Sequence, residues 1–93
     1  MIDYSPYEQL ALDLQSVDSQ ISQLIQQIIA EAKHLDDHPE DSTDDLYDLI
    51  NQLETALPGS SLTESQASDV EDFITFIKNE KPPRQSHGGD DPK

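Results

Sequence analysis

The residues best equipped for chemistry lie in the stretch HLDDHPEDSTDDLYD, positions 34–48. It holds two histidines and seven carboxylates, Asp36, Asp37, Glu40, Asp41, Asp44, Asp45 and Asp48, with no Lys or Arg among them. His34 and His38 are four residues apart, a spacing that sets two side chains on one face of a continuing helix. With Asp37 or Asp41 they make a two-imidazole, one-carboxylate donor set of the kind that suits zinc. Pro39 frays any helix at this point, and the stretch lacks the central Gly and terminal Glu of a calcium-binding loop. The expectation is therefore no metal, and two exposed histidines whose acidic neighbours favour the imidazolium form.

Catalysis by these acids would need a desolvated cleft that shifts their pKa values. Nearly every acid of the chain instead falls in a polar stretch or on a polar helix face, Glu31 being the one that interrupts an apolar seam. No Gly-rich phosphate loop, Ser/His/Asp pattern or cofactor fingerprint is present in the sequence, and no cysteine is available as a nucleophile or ligand. The reading is a non-enzyme without a cofactor.

The carboxylates have two explanations. Asp41, Asp44 and Asp45 fall at the start of a helix, where backbone N–H groups and the macrodipole favour negative charge. Asp36, Asp37 and Glu40 fall near the end of the preceding helix, where the same dipole opposes them. Twenty acids against five bases give a formal charge of −15, beyond the roughly 2–8 that solubility of a small domain asks for. Four of those bases, Lys78, Lys81, Arg84 and Lys93, fall in the last sixteen residues, and only Lys33 precedes them. Such a chain repels nucleic acid and anionic membrane and attracts basic surfaces. On a helix, Asp41, Asp44, Asp45 and Asp48 would lie about 5–6 Å from their neighbours, comparable to successive phosphates along a nucleic acid strand. Asp13, Asp18, Asp69, Glu71 and Asp72 could lengthen that row. In size and charge the chain resembles the general type of small acidic antagonist: DNA mimics, anti-restriction and anti-CRISPR proteins, and nuclease immunity proteins. The expected function is neutralisation of a basic, nucleic-acid-binding protein through the acids of 36–48.

The elements that must position these residues are helices. Ser5, Pro6 and Glu8 read as N-cap, first turn and capping-box partner. Apolar residues then recur at Leu10, Leu14, Val17, Ile21, Leu24 and Ile28 in steps of four and three, widened by Ile25 and Ile29. With no Gly or Pro from Tyr7 to His38, the pattern predicts one helix of about 30 residues over 5–36, stopped by Pro39. A second helix is expected over 43–57, bounded by Pro58-Gly59-Ser60-Ser61, and a third over 63–80, opened by a Thr63/Gln66 capping box. Residues 81–93 read as a disordered polar tail.

The predicted fold is thus an all-α, bundle-like single domain over 1–80 with three helices. Its long seam is expected to pair with a second copy as a homodimer, or, as an alternative function, to capture a partner helix in the manner of an adaptor or secretion chaperone. The simplest role for the seam is the protein's own core. Without an apolar run long enough for a signal peptide or membrane span, the sequence suggests a cytoplasmic protein.

Overall fold

The computed structural model describes residues 3–83, which form four α-helices, one 3-10 turn and no strand. Helix α1 is Ser5–Leu14, α2 Ser19–Asp37, α3 Asp44–Ala56 and α4 Glu64–Glu80, with the 3-10 turn at Leu57–Gly59. The expected 30-residue helix is therefore two helices, the longer of 19 residues. The break falls on residues 15–18, where Ser16, Val17 and Asp18 each hold a helix less well than Ala, Leu or Gln. At Asp18 the backbone turns extended (φ −151°, ψ 97°), and the carboxylate accepts from the N–H of Ile21 at 3.3 Å. This is an N-cap, which stabilises a fresh helix start at this point. The second Asp18 oxygen accepts from the N–H of Ser61 at 3.1 Å, so the same side chain also holds the loop before α4.

The break lets α1 fold back along α2 as an antiparallel hairpin. Small side chains allow close approach: Ala11 and Ser22 are both buried, and the Ser22 hydroxyl donates to the Ala11 carbonyl at 2.6 Å. The chain continues up-down-up-down. Lys33 pairs with Glu8 at 2.5 Å across α1 and α2, His34 meets Asp41 at the α2–α3 turn, and Lys78 pairs with Glu54 across α3 and α4. Aromatic rings tie α4 to α1, with Tyr7 4.9 Å from Phe76 and 5.1 Å from Phe73, and Tyr4 edge-on to Phe76.

The seam lies inside this arrangement. Leu14, Ile21, Leu24, Ile25, Ile28 and Ile29 are each at most 6% exposed, and Leu10 and Val17 are half-buried. They pack with Leu46, Ile50, Leu53, Val70, Phe73, Ile74 and Ile77 in one core. The surface expected to pair with a second copy is thus covered by the chain's own α3 and α4. Heptad-like steps persisted across the turn because periodicity records which face is apolar, not whether the backbone is continuous.

The two capping boxes fare differently. Thr63 and Gln66 make theirs reciprocally at α4, at 3.2 and 3.0 Å. Ser5 does not cap α1: Tyr4 occupies that position without a side-chain bond, the Ser5 N–H donates to Asp3, and Glu8 turns to Lys33 instead. Of the expected tail, residues 84–93 lie outside the described residues. Lys81 belongs to the fold, since its carbonyl accepts from the Tyr47 hydroxyl at 2.8 Å and its amine pairs with Asp36.

Candidate functional site: the acidic α2–α3 junction

Pro39 ends α2, and the chain crosses to α3 through residues 38–43. All seven carboxylates of 34–48 gather around this crossing, but the structure divides them.

Asp36 is structural. It sits on the last turn of α2, accepts from the Tyr4 hydroxyl at 3.1 Å and pairs with the Lys81 amine, whose side chain is only 14% exposed. Through it the start of α1 and the end of α4 are fastened to α2. Burial, reinforced by the Asp36 carboxylate, pushes the Tyr4 phenol far above its ordinary pKa, so it stays a donor. Asp36 therefore has an internal cation, contrary to the reading that made it a candidate for an external one. Lys81 and Tyr4 were not singled out in the sequence. The available signal was a lysine at a helix C-terminus, where cations are favoured.

Asp41 and Glu40 face histidines. His34 Nε2 is 2.9 Å from Asp41 Oδ2, and His38 Nδ1 is 3.6 Å from Glu40 Oε2. The two rings lie 4.7 Å apart, tilted by 32°. The hydrogen bond to Asp41 holds the His34 pKa above its ordinary value against desolvation, helped by the charges of Glu31, Asp41 and Asp37. The two histidines share a helix face as their spacing implies, yet each addresses a different carboxylate. Among the described residues no three His, Asp or Glu side chains converge to hold a metal ion.

Asp37, Asp44, Asp45 and Asp48 have no cationic partner among the described residues. All four are exposed. Asp44 and Asp45 occupy the first turn of α3, where its dipole suits them, and Asp48 accepts from Gln52 at 3.4 Å. Asp37 has no such support at the end of α2. An open groove of about 630 Å³ runs between α2 and α3 beside this set, with Ala30 and Leu49 in its lining and Glu31, His34 and Asp45 around them. Glu31, the acid that interrupts the apolar seam, thus faces this groove rather than the core.

The further acids do not lengthen the row. Asp13, Asp69 and Asp72 line a separate groove between α1 and α4, Glu71 faces a third between α3 and α4, and Asp18 is the α2 cap. The proposed seam site (Leu10, Leu14, Val17, Ile21, Leu24, Ile25, Ile28 and Ile29) is core or half-buried packing, as described above.

No helix among the described residues is long and apolar enough to cross a membrane. No protein-family model, characterised protein or solved structure matches the chain.

Proposed function

We propose that this chain is a non-catalytic acidic binding protein that occupies the nucleic-acid site of a basic partner, acting within the cytoplasm. The observation that carries the reading is how its charge is distributed. Every lysine among the described residues is already in an ion pair, Lys33 with Glu8, Lys78 with Glu54 and Lys81 with Asp36. The exposed acids Asp37, Asp44, Asp45 and Asp48 are left without internal cations among those residues, on rigid helical backbone or directly beside it. Such self-repulsion costs stability, and a Lys- and Arg-lined cleft offsets it on binding. Helix spacing brings Asp48 within about 5–6 Å of both Asp44 and Asp45, a separation suited to amines that otherwise hold phosphates.

Pairing through the α1–α2 seam is not part of this proposal. Capture of a partner helix there would require Ile25 and Ile29 to leave the core, where they are 0% and 4% exposed.

The test is competition. Labelled duplex DNA is bound to a panel of lysine-rich nucleic-acid-binding proteins, and the chain is added. It should displace the DNA at ~50 mM salt and do so far less at ~200 mM, because each phosphate-like contact carries a salt dependence. The Asp37→Asn, Asp44→Asn, Asp45→Asn, Asp48→Asn variant, checked for native helicity, should compete at least ~10-fold less well, a loss of about 1.4 kcal/mol. Equal competition by parent and variant would overturn the reading.

A further inference from the structure

A second sizeable groove lies away from the acidic junction. It runs between α3 and α4, has a volume of about 660 Å³, and sets the aliphatic residues Leu57, Leu62 and Ile74 among polar and charged ones. Its α4 wall carries Glu64, Ala67, Glu71, Ile74 and Lys78, in steps of three, four, three and four. That spacing is a continuous stripe along one helix face, about 21 Å long at 1.5 Å per residue. Lys78 crosses to Glu54 at 2.8 Å and bridges the two walls at one end. Glu64 and Glu71 are exposed, have no cationic partner among the described residues, and stand two turns apart on the same edge.

Three occupants can be compared by chemistry. The chain's own segment 84–93, RQSHGGDDPK, has no large apolar residue for the floor, and its Arg84 and Lys93 are offset by Asp90 and Asp91, so it brings no net positive charge to the acidic rim. A second copy carries a net charge of −15, so its approach sets carboxylates against Glu64 and Glu71. A helix with aliphatic residues along one face and Lys or Arg seven residues apart meets both requirements, since its side chains repeat with the periodicity of the α4 stripe. We infer that the α3–α4 groove is a docking site for a basic amphipathic helix of a partner protein, a second contact surface distinct from the 36–48 acids. Helix capture thereby moves from the buried seam to a groove whose α4 wall has heptad-like spacing and an acidic edge.

The experiment uses the full chain and two synthetic peptides of identical composition. One has Leu in steps of three and four with Lys pairs seven residues apart; the other is a scramble without that order. The ordered peptide should bind and shift the backbone amides of Ala67, Glu71 and Thr75 in heteronuclear NMR spectra. The scramble should bind at least ~10-fold less tightly, because a helix lacking an ordered face cannot fill the groove. Glu64→Gln with Glu71→Gln should weaken the ordered peptide and flatten its salt dependence. Asp44→Asn, Asp45→Asn, Asp48→Asn should leave its affinity within about twofold, since those residues lie outside the groove lining. Equal binding of the two peptides, shifts confined to residues 36–48, or no binding of either would each overturn the inference.

Discussion

Two polar junctions flank α2, and they use acids in opposite ways. At the α1–α2 turn a single carboxylate, Asp18, serves both oxygens: one caps α2 at Ile21 and the other holds Ser61. At the α2–α3 turn seven carboxylates crowd fifteen residues, and Asp36 plays the comparable bridging part, between Tyr4 and Lys81. The lesson is that an acid's role follows from what its oxygens accept, not from how acidic its surroundings are. Asp36 and Asp37 are adjacent in the chain, point into different surroundings, and fall on opposite sides of that division.

The sharpest way to break this comparison is to remove each of those neighbours. Asp36→Ala should destabilise the fold by about 2 kcal/mol, the range for hydrogen bonds to a charged group whose partners are partly buried. Asp37→Ala should stay within about 0.5 kcal/mol and can be slightly stabilising, because a carboxylate at a helix C-terminus opposes the macrodipole. Chemical denaturation of the two variants decides it, and equal losses would erase the distinction between structural and surplus acids. Next in size is Asp18→Ala, expected to cost about 1 kcal/mol as a lost N-cap. Its loss should also raise amide exchange at Ile21 and Ser61, the two N–H groups deprived of an acceptor.

Those two sites also mark what the sequence could and could not reveal. The helical class, the Pro39 stop and the Thr63/Gln66 box were legible, because each rests on local chemistry or on periodicity. The turn at residues 15–18 was not. It lacks Gly and Pro, and its apolar steps continue in register from Leu14 through Val17 to Ile21. Its signal was the run of weak helix formers around Asp18, which becomes decisive only when folding back buries Ala11 against Ser22. The acidic cluster was legible as composition. Its partition was not, because Lys81 lies 45 residues from Asp36 and no local pattern links them. For the same reason the seam read as a surface: nothing in its own spacing shows that α3 and α4 will cover it.

The smallest expected effect concerns the acids that face histidines, which stand between the two classes. His34 is exposed, so its pair with Asp41 contributes little to stability, yet its direction with pH is fixed. The folded-state pKa of His34 is raised above its ordinary value of 6.5, chiefly by the Asp41 hydrogen bond. A raised histidine binds protons more tightly in the folded state. Its contribution is therefore fully present below the unfolded pKa and is lost as pH rises through the folded one. Melting curves taken from mildly acidic to mildly basic pH should show a decline in Tm that His34→Gln flattens. General relief of carboxylate repulsion at low pH acts equally on parent and variant, so the difference between their curves isolates the pair. Histidine NMR titration gives the direct check: the His34 pKa should fall towards 6.5 in Asp41→Asn, which removes its hydrogen-bonded carboxylate while Glu31 and Asp37 keep their charges. No change on that substitution would mean that the Asp41 hydrogen bond does not set the His34 pKa, and the division of the 37–48 acids into histidine-facing and surplus ones would then fail.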